Sequence, residues 1–401
     1  MFFIRAIYCR TFQTAFKIMM PILPYREPDL VSSTKELSSV LKLENIKSVL
    51  IVTDSGIVKM GLASGIEEVL KKNDIAYAIY DNVKPNPTVA NVEEAVLMYH
   101  RNKCDGLIAI GGGSSIDCAK AVGARIAYPR KSIDKMKGIL KILRPLATLI
   151  AIPTTAGTGS EATLASIITD PEKKHKYALM SFPLIPHYAM LDATLTYSLP
   201  PQLTATTGMD VLTHAVEAYI GRSTTAETRE LALEATRLVF RNIYMAYVDG
   251  NNYEARKNML IAANKAGIAF SKSYVGYIHA LAHSLSGIYG TPHGLANAVI
   301  MPYVLESYGA CIHKKLYELA RSANICSKRD SYEEGAKKFI EAIKELNKKM
   351  MIPDKIEGIC REDIPLMARY AEKEANPLYP VPKLMTTNEL EQFYYRIGDF
   401  T

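Results

Sequence analysis

The chain has 401 residues, of which 48% are hydrophobic and 22% charged, and its formal net charge is +7. This length allows two ordinary domains with a large buried core, and the composition is that of a folded globular protein rather than a disordered or fibrous one. Lysine and arginine are spread along the whole sequence, which argues against nucleic acid as a partner. No uncharged apolar stretch reaches the roughly 18 residues of a membrane-spanning helix, so we expect no membrane span.

The first 25 residues and the cysteines bear on location. Residues 1–20 include Arg5, Arg10 and Lys17 but no acidic residue. Such a segment is typical of a transit peptide or a membrane-surface helix, and also of an N-terminal helix that packs on its domain. We favour the packed helix, because no small-residue cleavage pattern follows. Six cysteines without a CxxC pair or a disulfide-like spacing favour free thiols in a reducing compartment, and hence a cytoplasmic protein.

The first half of the chain alternates short β-rich runs with amphipathic helical stretches. The strand-like runs lie at 48–53, 75–80, 106–111 and 147–153. This alternation predicts crossover units and a Rossmann-like α/β domain with a parallel sheet. The basic run Lys131–Arg144 has apolar residues at helical spacing, and we predict a helix with a solvated face there.

The second half has a different pattern. After Pro200 and Pro201, nearly every segment up to Ile397 has helical periodicity and strand-like runs are few. The sequence therefore predicts an α/β dinucleotide-binding domain of residues 1–195, followed by an all-helical domain of residues 196–401.

Two glycine-rich turns follow predicted strands in the first half. The turn GGGSSIDCAK at 111–120 opens a helix, whose first amides and positive dipole end suit a pyrophosphate. A glycine triplet before a helix is also common as a plain tight turn. The second turn, PTTAGTGSEAT at 153–163, sets four hydroxyl side chains around two glycines. Because open α/β sheets bind ligands beyond the carboxyl ends of their strands, the two turns together indicate a nucleotide site.

Asp54 lies at the end of the first strand-like run. A carboxylate at this place can accept the hydrogen bonds of an adenosine ribose, and it would repel the 2′-phosphate of NADP. Its alternative role is that of a helix N-cap, since a helical segment begins nearby. The residues alone do not decide between the two roles.

A histidine cluster marks the helical half. Asp210 and His214 are four residues apart, His279 and His283 repeat this spacing, and His293 follows in the loop TPHG. A lone histidine in an apolar helix is usually a packing residue. Four of the chain's eight histidines with an aspartate at this spacing instead indicate a divalent cation at a catalytic site. The spacing does not decide whether His279 or His283 is the ligand.

The motifs resemble those of a known family. The segments GGGSSIDCAK, IPTTAGTGSEAT, TGMDVLTHAVEAY and HALAHSLSGIYGTPHGLANAVIMPYV are closely similar to those of iron-containing alcohol dehydrogenases. The resemblance runs from about Pro28 to the C-terminus. It implies reversible hydride transfer between a small alcohol or aldehyde and NAD(H), with Fe²⁺ as the expected metal, zinc as the next choice, and a homodimer. One departure is Ser284 in place of a common proline, which is compatible with a continuous helix.

The resemblance also implies the roles of individual residues. The implied metal ligands are Asp210, His214, His279 and His293. His283 is implied as a catalytic residue near the open coordination position, where it would handle protons or shape the substrate site. Lys176, otherwise a surface lysine, is implied at the nicotinamide-side ribose. The full set of implied cofactor contacts is Asp54, Gly112, Gly113, Ser114, Asp117, Thr154, Thr155, Thr158 and Lys176.

The alternatives belong to other reaction or protein classes. A zinc-dependent polyol dehydrogenase or a dehydroquinate-synthase-like enzyme could use the same scaffold, but the latter needs basic groups for a phosphorylated substrate, and the segment 279–293 lacks such a cluster. A metal-dependent hydrolase would not need two cofactor turns. A nucleotide-binding module without catalysis would not need the histidine cluster.

Overall fold

A computed structural model describes residues 2–19, 22–170 and 175–400, with the side chains of all of these except Phe2, Phe3 and His175. The backbone contacts divide the chain into two compact units. One is Pro24–Ser198, and the other is Met1–Leu23 together with Leu199–Thr401. The first residues thus group with the helical unit, whereas the sequence assigned them to the α/β domain.

The α/β unit alternates strands and helices in chain order. After helix α1 (Phe2–Met19) of the other unit, its elements are β1 (Asp29–Val31), α2 (Thr34–Leu43), β2 (Ser48–Val52), α3 (Ser55–Lys59), α4 (Ser64–Lys72), β3 (Ala76–Tyr80), α5 (Val89–Arg101), β4 (Gly106–Gly111), α6 (Gly113–Ala127), β5 (Gly138–Ile139), β6 (Thr148–Pro153), β7 (Ala165–Asp170), β8 (His175–Met180) and β9 (Tyr188–Met190). Short 3₁₀ helices lie at Ile133–Met136, Ser160–Ala162, Phe182–Leu184 and Ala193–Thr196.

Six strands form one sheet in the order β1-β9-β6-β4-β2-β3. All of its neighbouring pairs are parallel. A smaller sheet has the order β5-β8-β7, in which β7 runs antiparallel to β8. The four strand-like runs of the sequence are β2, β3, β4 and β6, and the predicted parallel α/β fold is confirmed.

Alternate residues of the central strands face opposite layers of helices. Leu50 and Val52 of β2 pack in one core cluster with residues of α5 and α6. Val49 and Ile51 pack in a second cluster with residues of α2 and α4. Neither face of such a strand meets water, so its side chains are apolar on both faces. This explains the continuous apolar runs in the sequence.

The segment Lys131–Arg144 is not the predicted helix. It contains the 3₁₀ turn Ile133–Met136, followed by the two residues of β5. Gly138 and Leu140 have φ angles of 100° and 55°, outside the right-handed helical region. Three of its apolar side chains, Ile133, Met136 and Ile142, are fully buried in the core, whereas Leu140 and Leu143 are exposed. Helical spacing here therefore arose from side chains that share a core without sharing a helix.

The second unit is built from helices. They are α7 (Pro201–Ile220), α8 (Ala226–Val248), α9 (Tyr253–Ser273), α10 (Tyr277–Tyr289), α11 (His293–Tyr308), α12 (His313–Ser322), α13 (Tyr332–Lys349), α14 (Ile364–Ala375) and α15 (Thr387–Ile397), with 3₁₀ helices at Gly309–Ile312 and Arg361–Asp363. Between residues 199 and 400, all of which are described, the chain forms no strand. The all-helical character predicted for the second half is confirmed.

Helix α1 packs on this helical unit. The Arg10 guanidinium donates to the carbonyls of Val381 at 2.7 Å and Pro382 at 3.0 Å. The Gln13 amide donates to the carbonyl of Tyr379 at 2.8 Å. Helix α1 therefore packs on the helical unit through these side chains.

One helical stretch among the described residues, His293–Ser322, is long and apolar enough to cross a membrane by length and composition. Most of its apolar window is buried inside the protein. Packing in the helical core accounts for this composition.

Helix α7 is the central helix of the second unit. It is buried on nearly all sides from Thr204 to Ile220, as expected for a helix that is apolar all round. Three of its ionisable residues, Asp210, His214 and Glu217, follow the spacing i, i+4, i+7 and so share one face. Buried polar groups cost free energy unless they have partners, so this face needs a compensating arrangement.

Gly294 allows helix α11 to approach α7 closely. A Cβ atom at this position would lie 2.3 Å from the carbonyl oxygen of Thr206 and 2.8 Å from its carbonyl carbon. These atoms belong to the α7 backbone and cannot rotate away. The absence of a side chain at Gly294 therefore brings the first turn of α11, including His293, against α7.

We expect the substitution Gly294→Ala to destabilise the protein by about 1–3 kcal/mol, because the new methyl group overpacks a rigid contact. Urea unfolding measures this effect. The matched control is Gly287→Ala in α10, where an added Cβ has no atom within 4 Å. That change should be neutral or stabilising by about 0.5–1 kcal/mol, since it only removes a helical glycine. Equal unfolding midpoints for the two variants would contradict the close approach of the helices.

Candidate functional site

Three of the four predicted metal ligands come together in the helical unit. One atom each of Asp210, His279 and His293 lies within 4.8 Å of the other two. Asp210 Oδ1 is 3.7 Å from His279 Nε2 and 3.5 Å from His293 Nε2. Two ligand atoms at about 2.1 Å from a tetrahedral ion are separated by about 3.4 Å, so this spacing suits a single cation.

His279 is oriented with its Nε2 toward this cluster. Its Nδ1 is 2.6 Å from Oε2 of Glu217, while its buried Nε2 has no hydrogen-bond partner among the described residues. Burial, and next the neighbouring histidines, lower the pKa of His279 well below its ordinary value, which keeps the ring neutral. A neutral imidazole whose Nδ1 donates to a carboxylate has its lone pair on Nε2, which is the form that binds a metal. An unpartnered imidazole nitrogen that faces a carboxylate is a donor arrangement that could hold a divalent cation.

Glu217 was not among the predicted site residues. Its spacing of seven residues from Asp210 on a buried helix was an available signal. Burial raises the pKa of Glu217 to about 7, and backbone amide donors, including those of Gly276 and Ile278, act in the opposite direction.

His214 lies beside the cluster. Its ring stacks on Phe270 at a centroid distance of 4.2 Å and on His279 at 4.4 Å. Burial lowers its pKa, and its Nδ1 is buried without a hydrogen-bond partner in the described part of the chain. It is not one of the three described residues whose ligand atoms lie within 4.8 Å of one another. The predicted set is therefore assembled in part, with His214 in contact with one of its members.

Asn297 is a further residue that the sequence analysis missed. Its Nδ2 donates to Asp210 Oδ1 at 2.7 Å and lies 3.1 Å from His293 Nε2. It lies one helical turn after His293, so the i, i+4 spacing on α11 could have indicated it. The amide links the carboxylate of α7 to the histidine of α11.

His283 lies one turn after His279 and is held by a different carboxylate. Its Nδ1 is 2.6 Å from Oε1 of Glu374, which also accepts a hydrogen bond from the Tyr379 hydroxyl at 2.8 Å. Its ring is nearly parallel to that of His293, with a centroid distance of 4.9 Å. The side chain is 38% exposed, against 2% for His279. His283 therefore lies next to the cluster on its more accessible side.

Ser284 is accommodated without a break in α10, as expected for this replacement of a proline. Its hydroxyl donates to the Ala280 carbonyl at 3.1 Å and lies 2.8 Å from the Tyr394 hydroxyl. Tyr394 in turn donates to the Leu281 carbonyl at 2.9 Å. The serine thus helps to join α10 to α15.

The two glycine-rich turns lie side by side in the α/β unit. They follow β4 and β6, which are neighbours in the sheet, and Gly111 pairs with Pro153 at the strand ends. The Thr154 amide donates to the Gly111 carbonyl at 2.9 Å. Both turns therefore lie at the carboxyl edge of the sheet, as the sequence predicted for turns that follow parallel strands.

The second turn packs directly on the glycines of the first. A Cβ at Gly113 would lie 2.8 Å from Thr158 Oγ1, and one at Gly112 would lie 3.4 Å from Thr155 Oγ1. Gly112 is the N-cap of α6, and no side chain among the described residues caps this helix. Small residues thus leave the first amides of α6 next to a row of threonines, an arrangement that suits a phosphate group.

Asp54 has one of the two roles that the sequence left open, that of a helix N-cap. Its Oδ1 accepts hydrogen bonds from the Gly56 amide at 2.9 Å and the Ile57 amide at 3.2 Å, so it caps α3. Its Oδ2 lies 3.6 Å from the position that a Cβ on Gly111 would occupy. One oxygen therefore caps the helix, and the other is close to the first glycine turn.

Lys176 and Ser114 are linked through a residue that the sequence analysis did not include. The Asn86 amide donates to Ser114 Oγ at 3.3 Å, and Asn86 Oδ1 accepts a hydrogen bond from Lys176 Nζ at 2.8 Å. Burial lowers the pKa of Lys176. Asn86 has a φ of 61°, which asparagine tolerates, and its place in a Pro-Asn-Pro turn after β3 was an available signal.

Asp117, expected as a cofactor contact, has hydrogen-bond partners within the α/β unit. Its Oδ1 accepts from the Ser160 hydroxyl at 2.6 Å and its Oδ2 from the Ile167 amide at 3.0 Å, so both oxygens are used within the unit. The fully buried Lys120 also donates to Ser160, at 3.1 Å, and to the Thr163 carbonyl, at 2.8 Å. Burial lowers the pKa of Lys120 to about 8. Asp117 and Lys120 of α6 thus hold the threonine-rich turn against this helix by hydrogen bonds.

Comparison with known proteins agrees with this assembly. The family model described as iron-containing alcohol dehydrogenase matches residues 31–193, and the model for the C-terminal part of the same family matches residues 204–397. The 1,3-propanediol dehydrogenase of Klebsiella pneumoniae is 36% identical over 365 residues, which cover 90% of this chain and 93% of the relative. The NAD-dependent methanol dehydrogenase of Bacillus methanolicus is 33% identical over 368 residues, covering 90% and 94%.

A solved structure extends this similarity to the fold. The crystal structure of a 1,3-propanediol oxidoreductase superposes with a TM-score of 0.89 at 33% identity, covering 94% of this chain and 99% of that one. The alternative of a dehydroquinate-synthase-like enzyme or a polyol dehydrogenase is not favoured, because these relatives are alcohol and diol dehydrogenases. The chain belongs to the iron-containing alcohol dehydrogenase family and is an oxidoreductase.

Proposed function

We propose that this chain transfers hydride reversibly between a small alcohol or aldehyde and NAD(H), with a divalent cation bound by Asp210, His214, His279 and His293. One observation carries the proposal. His279 Nε2 is buried, has no hydrogen-bond partner in the described ranges, and lies 3.7 Å from the buried Asp210 carboxylate. An apolar core does not retain an unpaired lone pair beside a carboxylate unless something binds both.

The donor set suits the chemistry of the family. When bound, the cation would act as a Lewis acid on the substrate oxygen and favour the alkoxide form of an alcohol. A carboxylate and neutral imidazoles suit iron, zinc, cobalt and manganese, and we propose Fe²⁺ first, with zinc as the alternative. His283, held at Nδ1 by Glu374, is the proposed residue that exchanges a proton with the substrate oxygen or shapes the substrate side.

The α/β unit would bind the dinucleotide. The α6 amides with Gly112, Gly113 and Ser114 are proposed to bind the pyrophosphate. Thr154, Thr155 and Thr158 would lie along the cofactor, and Lys176 would reach the nicotinamide-side ribose. Asp54 is proposed to bind the adenosine ribose and to favour NAD over NADP.

We also propose a homodimer with small-molecule substrates and no nucleic-acid partner. A cytoplasmic location is supported by the six cysteines, all of which are free thiols.

Replacement of His214 by alanine should lower turnover by about 10³-fold or more, because loss of the metal removes several kcal/mol of transition-state stabilisation. NADH binding, measured by fluorescence titration, should be unchanged, since the α/β unit supplies those contacts. The control is His100→Ala, an exposed histidine in the last turn of α5. A His214→Ala enzyme that keeps wild-type activity after its metal is removed by a chelator would contradict the mechanism.

The substitution Asp54→Asn should raise the ratio of kcat/KM for NADPH to that for NADH by about tenfold or more. The reason is that removal of a charge near the 2′-phosphate is worth about 1–4 kcal/mol, while asparagine still caps α3. Steady-state kinetics with both cofactors measure this ratio. Asp192→Asn is the matched control, because Asp192 caps the 3₁₀ helix Ala193–Thr196 in the same unit. An unchanged ratio in Asp54→Asn would remove the basis for NAD preference.

A further inference from the structure

We propose that Glu217 is a positioning residue that sets the proton of His279 on Nδ1 and thereby presents Nε2 to the metal. The inference rests on the proposed function, since it concerns the same metal site. It adds a carboxylate that binds no metal itself and acts through one ligand.

Glu217 is held by three donors at the start of α10. Its Oε2 accepts from the Gly276 amide at 2.8 Å and lies 2.6 Å from His279 Nδ1, and its Oε1 accepts from the Ile278 amide at 2.8 Å. The residue is 2% exposed, so these contacts replace water. Both oxygens are directed to α10, which leaves His279 as the link between Glu217 and the cluster.

The backbone is shaped for this contact. A Cβ at Gly276 would lie 2.7 Å from Glu217 Oε1 and 3.1 Å from its carboxyl carbon. Gly276 is the N-cap of α10 and supplies no side-chain cap. Glu217 reaches across from α7 and takes the place of that cap, and the positive end of the α10 dipole favours its charge. The start of the helix and the orientation of the ligand therefore depend on the same carboxylate.

The chemistry of the contact determines the tautomer of His279. Each oxygen of Glu217 accepts a backbone amide hydrogen, which favours the ionised carboxylate. This form has no hydrogen to donate, so the proton of the neutral ring belongs on Nδ1. The lone pair then lies on Nε2, which is 3.7 Å from Asp210 Oδ1. A glutamine at position 217 has nearly the same shape, but its amide group can donate to Nδ1 and so stabilise the opposite tautomer, which cannot bind a metal through Nε2.

The experiment compares Glu217→Gln with Glu318→Gln in the zinc-loaded protein. Glu318 accepts a hydrogen bond from the hydroxyl of Tyr219, also on α7, at 2.6 Å, so the control alters a carboxylate that braces the same helix. Competition with a chelator gives the zinc dissociation constant. We expect Glu217→Gln to bind zinc about 10–100-fold more weakly than the wild type, and Glu318→Gln to bind it equally well.

A second readout separates orientation of the ligand from a general structural effect. In metal-free protein with ring-¹⁵N-labelled histidine, the wild type and Glu318→Gln should have a low-field proton resonance of His279 coupled to Nδ1. Glu217→Gln should lose or shift it. If Glu217→Gln does not fold, the spectrum of the metal-free wild type is the test, because a His279 proton on Nε2 in that protein would overturn the inference.

The outcomes also separate this inference from the proposed function. A wild-type protein that binds no divalent metal would overturn both. A wild type that binds zinc, together with a Glu217→Gln variant of equal affinity and unchanged resonance, would overturn only the role of Glu217.

Discussion

The helical unit depends on compensation for polar groups buried around α7. Asp210, His214, Glu217 and His279 are each no more than 5% exposed. Ionised or unpartnered groups at such positions cost several kcal/mol unless they meet an opposite charge or a hydrogen-bond donor. Glu217 is compensated by the start of α10, and Asp210 in part by Asn297. A cation at the facing nitrogens would complete the compensation and unite α7, α10 and α11.

Glycines make this convergence possible at two points. Gly294 allows α11 to contact the backbone of α7, and Gly276 allows the carboxylate of α7 to reach the first turn of α10. In both cases a methyl group would displace a proposed metal ligand or the residue that we propose orients it. The α/β unit has a similar close approach at Gly113, where Thr158 of the second turn occupies the space that a side chain would take. The site is therefore specified as much by missing side chains as by the ligands.

The alternation of strand-like and helical segments made the class of fold and the place of the two glycine-rich turns predictable. The buried runs at β2, β4 and β6 indicated a parallel sheet, and parallel strands place their following turns at one edge, so the nucleotide turns could be located without coordinates. Asp210 and the histidines were found because helical spacing is local. The same local rule failed in Lys131–Arg144, where Gly138 has a positive φ angle and only some of the apolar side chains, such as Met136 and Ile142, lie in the core.

Contacts between residues that are far apart in the sequence could not be predicted from local periodicity. His279 and His283 have equivalent spacing, and only the structure distinguishes the buried ring held by Glu217 from the more exposed ring held by Glu374. Glu374 lies 91 residues from His283, and Asn86 lies 90 residues from Lys176, so no periodicity links these pairs. Asp117 lies next to the first glycine turn in sequence, yet both its oxygens are engaged behind that turn.

The central claim is that these side chains bind one catalytic cation. Its most direct test is elemental analysis of the wild-type protein, reconstituted anaerobically with Fe²⁺ and then stripped in steps by a chelator, with alcohol oxidation measured on the same samples. We predict about one divalent ion per chain and an activity that falls in proportion to the metal content. Full activity in protein that holds almost no metal would contradict the account.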